Sequence, residues 1–148
     1  MIARFAQFTA YISDIYWMIQ KIEREEMERL GLKGPQAQCL VAISRRSEGV
    51  TAAELCTLCE KDKAAISRTV SALVERGLVQ RAGKGAYRAA LRLTEEGHRM
   101  AEIVNRKVAL AAQRTGEGLS EEARAFLYQS LEQISGNLKK ISQEGLTL

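Results

Sequence analysis

Apolar side chains recur at alternating spacings of three and four near the start of the chain: Phe5, Phe8, Ile12, Ile15, Ile19 and Ile22. That spacing keeps one stripe of a helix apolar over several turns, as in a coiled-coil seam, and predicts a helix over residues 4–30. Its inner half is expected to pack into the core. A helix this long at a chain end is also expected to need a partner, which a second subunit would supply. Glu23 to Arg29 form a solvated face with charge pairs four apart. Gly31 and Gly34-Pro35 end this helix and begin the next, with Pro35 near the first turn.

The second helix is expected over residues 35–46, with Ala37, Leu40, Val41 and Ile43 inward. Glu48-Gly49 forms a turn, and Val50 adds a short extended piece. Thr51 reads as the N-cap of a helix over 52–59, and Asp62 as the N-cap of a helix over 63–76. In the latter, Ile66, Val70, Leu73 and Val74 fall at core spacing. Gly77 ends it. Residues 78–81 and 87–93 alternate as strands around a glycine-rich turn at 82–86. Thr94 opens a fifth helix to about residue 114, through Met100, Ile103, Val104, Val108 and Ala111. Gly116 and Gly118 break it. Ser120, with Glu121 and Glu122, caps a last helix to about residue 142, whose stripe is Phe126, Leu127, Leu131, Ile134, Leu138 and Ile141. The fold class expected is mainly α with a small antiparallel β-wing: a winged helix-turn-helix flanked by N- and C-terminal dimerisation helices. A single domain spans 1–148, with 1–31 and 95–148 as the dimerisation helices and 32–94 as the winged module.

Charge sharpens this picture. Between Lys61 and Arg92 lie eight basic residues (Lys61, Lys63, Arg68, Arg76, Arg81, Lys84, Arg88, Arg92) against Asp62 and Glu75, an excess of six in a chain whose net charge is +4. Everything outside the segment is therefore net acidic. Lys and Arg gathered on one surface displace counterions from phosphate, so double-stranded DNA is the expected partner. The outward set of the 63–76 helix is Lys63, Ala64, Ala65, Ser67, Arg68 and Ser71. Small residues at its start admit the backbone deep into the major groove. Arg68 has the reach for guanine, and Ser67 for a base or a phosphate. Lys84 and Arg88, at the hairpin tip, are placed for the adjacent minor groove, whose negative potential favours them. A homodimer sets two such helices about 34 Å apart, one DNA turn, and reads a pseudo-palindrome.

Other classes are excluded or weakened. Among 148 residues there is a single histidine, His98, and no glycine-rich phosphate loop, so no catalytic constellation is legible. A lone histidine also argues against a zinc site, and no cofactor is expected. The apolar runs fall far short of the roughly 20 residues of a membrane span. Gln7, Thr9, Ser13 and Asp14 interrupt any signal-peptide core, which leads to the expectation of a cytoplasmic protein with reduced thiols. A winged module that binds protein without specific DNA binding is the rival reading. The concentrated positive charge weighs against it, because protein-interaction cores are depleted in charge.

The motifs also carry a resemblance. Leu32 to Ile43 (LKGPQAQCLVAI), Thr51 to Leu55 (TAAEL), Asp62 to Val70 (DKAAISRTV), Leu73 to Val79 (LVERGLV) and Leu91 to Gly97 (LRLTEEG) resemble the MarR family of winged-helix transcriptional regulators. The resemblance implies a homodimer with interlocking terminal helices, regulation of transcription (usually repression) and release by a small-molecule effector or by oxidation. Effector sites in that family lie between the dimer helices and the winged module, which points to Tyr11, Tyr16 and Trp17. The sequence departs from the family at the wing, where an Asp-x-Arg pattern is replaced by Gly85 and Tyr87 with Arg88 one residue later. It departs again at the turn before the recognition helix, where Glu60 takes a position often held by Gly. The first helix lacks the cysteine through which some relatives sense oxidants. Cys39 is expected on the buried side of the second helix. Cys56-x-x-Cys59 offers a redox pair, but Cβ atoms three apart on a helix lie about 5–6 Å apart, whereas a disulfide needs about 3.8 Å.

Overall fold

The structure, a computed structural model, describes residues 1–82 and 90–146. Six helices and two strands follow in order: α1 (Ile2–Arg29), α2 (Gly34–Ser44), α3 (Ala52–Leu58), α4 (Lys63–Glu75), β1 (Val79–Ala82), β2 (Ala90–Leu93), α5 (Glu95–Thr115) and α6 (Glu121–Glu144). Two compact units divide the chain, residues 1–108 and 109–148, with the boundary inside α5.

The core of the first unit is built by α2, α3, α4, the two strands and the start of α5. Leu32, Leu40, Ile43, Leu55, Ile66, Val70, Leu73, Val79 and Leu91 are at most 2 % exposed. β1 and β2 pair antiparallel, Val79 opposite Leu93 and Ala82 opposite Ala90. Val50 joins them through a bridge to Leu91, as the sequence anticipated. Val74, expected in the core, is only half-buried, because it lies at the edge of the α4 inner stripe.

Gly77, Leu78, Thr94 and Gly97 make a tight corner between α4, the sheet and α5. Thr94 N donates to Leu78 O at 3.1 Å. Thr94 Oγ1 donates to Gly77 O at 2.6 Å and accepts from Gly97 N at 3.0 Å. A Cβ on Gly97 would stand 1.9 Å from Leu78 O, so no side chain fits there. The ERGLV and LTEEG segments of the sequence thus meet at one point.

α1 corrects the sequence reading. Its apolar stripe forms a helix as expected, but the inner half is not core. Ile15, Ile19 and Ile22 are 54 %, 51 % and 46 % exposed, and Met27 is the only buried residue of the helix. Periodicity identified the apolar face, but the described residues of the first unit leave it exposed. The helix is held at its C-terminal end instead. Met27 enters the core, Lys107 of α5 pairs with Glu26, and Arg76 Nη1 donates to Gly31 O at 2.5 Å. The Lys107 ammonium holds the Glu26 carboxyl below its usual range.

The second unit contains the end of α5, a turn at 116–119 and α6. Ser120 Oγ accepts from Ala123 N at 3.2 Å, the cap expected from sequence, and Arg124 Nη2 donates to Gly116 O at 3.3 Å. No α6 residue is buried, and Phe126, Leu127, Leu138 and Ile141 of its apolar stripe are exposed.

Candidate DNA interface

Local chemistry fixes each helix of the reader. Thr51 Oγ1 accepts from Glu54 N at 3.2 Å, while Glu54 Oε2 accepts from Thr51 N at 2.7 Å. This reciprocal box satisfies two orphan donors and starts α3 where the sequence placed it. The donated Thr51 N–H holds the Glu54 carboxyl below its usual range. At the other end Glu60 adopts φ 51, the left-handed conformation that a non-glycine residue enters at a steric cost. Lys61 N donates to Cys56 O at 3.0 Å and closes the turn.

Asp62 Oδ1 then accepts from Ala65 N at 2.8 Å and caps α4. That backbone donor is the main reason the Asp62 carboxyl is held below its usual range, with Arg68 contributing through its charge. Ile66, Val70 and Leu73 turn inward. Ala64, Ser67, Arg68 and Ser71 fall at spacings of three and one, so they share a face. All four are exposed, as is Lys63. Ala65 departs from the expected outward set. It is half-buried and, with Arg68 and Thr69, lines a cavity of about 210 Å³ beside Pro35, Cys39 and Cys59.

The remaining cations are not equivalent. Arg76 is tied to Gly31 O, and Arg92 donates through Nε and Nη2 to Glu48 O at 3.2 and 3.1 Å. These two hold loops in place. Arg81 is exposed on β1. Lys84 and Arg88, with the departures at Gly85 and Tyr87, lie outside the described residues. Lys61, counted in the basic segment but not among the expected contact residues, lines the same cavity as Arg68.

Tyr11, Tyr16 and Trp17 are 60 %, 66 % and 59 % exposed on α1. Tyr11 accepts from Gln7 at 3.2 Å, and Lys21 Nζ stands 5.4 Å from the Trp17 ring centre. No helix among the described residues is long and apolar enough to cross a membrane. The thiols also arrange differently from the sequence suggestion. Cys59 faces Cys39, with Sγ atoms 3.9 Å apart, while Cys56 is half-buried on α3. Burial pushes the Cys39 thiol up to about 12 and raises that of Cys59.

A capped two-helix reader followed by an antiparallel hairpin defines a winged helix-turn-helix protein. Residues 30–86 match the model of the MarR family. A MarR-family transcriptional regulator from a Rhodococcus species is 24 % identical, with a TM-score of 0.70 over 86 % of this chain and 93 % of that one. CouR from Rhodococcus jostii, solved bound to p-coumaroyl-CoA, is 25 % identical, with a TM-score of 0.69 over 84 % and 88 %. MepR of Staphylococcus aureus, in its complex with DNA, is 17 % identical, with a TM-score of 0.75 over 88 % and 97 %. No curated protein matches the sequence. The matched segment is similar to the MarR family, and the chain shares the fold of MarR-family winged-helix regulators.

Proposed function

We propose that this protein is a sequence-specific double-stranded DNA-binding transcriptional regulator: a homodimeric repressor of pseudo-palindromic operators that a small ligand releases. The observation that carries the reading is the exposed face Ala64, Ser67, Arg68 and Ser71 on a helix whose first turn is fixed by Asp62. Capping orders the end of the helix that meets base edges. Small side chains permit close approach, and Arg68 supplies a bidentate donor for guanine. MepR, which shares the fold, has been captured on DNA.

The homodimer is supported by the uncovered apolar faces, each considered within its own unit. Phe5, Ile12, Ile15, Ile19 and Ile22 on α1, and Leu127, Leu138 and Ile141 on α6, are exposed. Contiguous apolar surface of this kind marks an association site. Ligand release rests on the family and on CouR, which binds an acyl-CoA. Tyr11, Tyr16 and Trp17 remain the proposed effector contacts, because their rings are open to a ligand on α1.

Selection of bound sequences from random DNA, combined with light scattering of the free protein, tests the reading. A two-fold-related motif and a dimeric mass are expected. Sequence-blind, weak binding by a monomer would refute it and favour a protein-interaction module.

A further inference from the structure

Two alanines stand side by side at the start of α4, and the structure treats them differently. Ala64 is exposed on the face that carries Ser67, Arg68 and Ser71, whereas Ala65 is half-buried and lines the cavity beside Cys39 and Cys59. Ile66, Val70 and Leu73 are buried and fix the rotation of the helix about its axis, so the two alanines cannot exchange places. We propose that Ala64 reads the C5-methyl group of a thymine in each operator half-site. The inference rests on the DNA-reading proposal and names a base which that proposal leaves open.

The chemistry of the exposed face selects that base. Ser67 and Ser71 present hydroxyls, each donor and acceptor at once, which suit several base edges. Arg68 suits guanine. Ala64 offers only a methyl group. Against the amino group of adenine or cytosine, or the acceptors of guanine, it would strip water from a polar edge and return no hydrogen bond. Thymine is the base whose major-groove edge carries a methyl group, and alanine is among the side chains that pack on it.

Geometry and entropy agree with this assignment. Asp62 Oδ1 accepts from Ala65 N at 2.8 Å and orders the first turn, the end of a recognition helix that meets base edges. Alanine has no side-chain rotamer to freeze, so the capped backbone alone sets where its methyl group lies. Ala64 and Arg68 are four residues apart on one face, about 6 Å along the helix axis. That spans roughly two base-pair steps of about 3.4 Å, so the two side chains meet different base pairs and do not compete.

Sites are first selected from random DNA by the full chain. Each thymine of the selected half-site is then replaced in turn by deoxyuridine, which removes the methyl group and keeps the base pair. Fluorescence anisotropy at fixed salt should show one thymine whose replacement weakens binding about fourfold per half-site, the value of one buried methyl-sized group. Ala64→Gly keeps the clearance and removes the methyl group, so it should bind the thymine and uracil sites equally. Ala65→Gly, which carries the same loss of helix propensity, should keep the fourfold ratio. The ratio is taken within each variant, so a change in folded fraction cancels, and the measurement on the parent chain needs no variant. A motif whose thymines all tolerate deoxyuridine would overturn this proposal alone. So would a thymine preference that survives in Ala64→Gly or is lost in Ala65→Gly. Failure of the selection to yield any motif would overturn the DNA-reading proposal and this one with it.

Discussion

Gly97→Ala separates tertiary packing from helix propensity, because the two effects have opposite signs. In a helix interior alanine is favoured over glycine by about 1 kcal/mol. At Gly97, however, the new Cβ would lie 1.9 Å from Leu78 O, 2.9 Å from Leu78 C and 3.3 Å from the Cβ of Leu93. It falls about 1.5 Å short of ordinary contact with a backbone atom that has no rotamer to change. Overpacking of this kind costs about 1–3 kcal/mol. Opening the corner also stretches the bonds from Thr94 N to Leu78 O and from Thr94 Oγ1 to Gly77 O. Each such hydrogen bond contributes about 0.5–1.5 kcal/mol. The net expectation is a loss of about 2–4 kcal/mol. Urea denaturation should show a lower midpoint at an unchanged slope. Gly136→Ala is the control: its Cβ meets nothing within 4 Å, so a gain of up to about 1 kcal/mol is expected. A Gly97→Ala protein as stable as the parent would refute the reasoning, because propensity would then outweigh the corner.

Four further outcomes are expected. Arg68→Ala should weaken binding to a selected DNA site by about 1–3 kcal/mol more than binding to random DNA; equal losses in anisotropy titrations would make it a phosphate contact. Lys84→Ala should reduce the slope of log affinity against log salt by about one, as loss of a phosphate contact requires; an unchanged slope removes it from the interface. Glu60→Gly should raise stability by about 0.5–1 kcal/mol, the left-handed strain relieved less the extra chain entropy of glycine, and a lowered melting temperature would count against strain at that turn. For Asp62, the carboxyl is held below its ordinary value of 3.8, so its contribution is full above that pH and is lost as pH falls through the folded value. Melting temperatures of Asp62→Ala and the parent should therefore differ at neutral pH and converge in acid; a pH-independent gap would contradict this.

Helix limits were legible because capping is local chemistry. Thr51, Asp62 and Ser120 each accept from the backbone three residues ahead, and the expected starts of α3, α4 and α6 agree with the structure. Tertiary choices were not legible. The repeat from Phe5 to Ile22 gives the apolar face of α1, but spacing carries no information on what covers it. A charge count treats every cation alike, whereas Arg76 and Arg92 are committed to backbone carbonyls 45 and 44 residues away. The partner of Cys59 was sought three residues away on the same helix and lies 20 residues away on α2. Ala65 turned inward because it faces the space between α2 and α4, which no single-helix projection represents.

The anchorage of α1 at Met27, Glu26 and Gly31 makes the helix a lever with its fulcrum at the winged module. Residues 2–22 form an arm roughly 30 Å long beyond that fulcrum. One degree of rotation at the root therefore moves the tip by about 0.5 Å. Arg76 joins the same root to the end of the recognition helix. The bond between Arg76 and Gly31 is therefore the point at which a tilt of the arm would reach the end of α4.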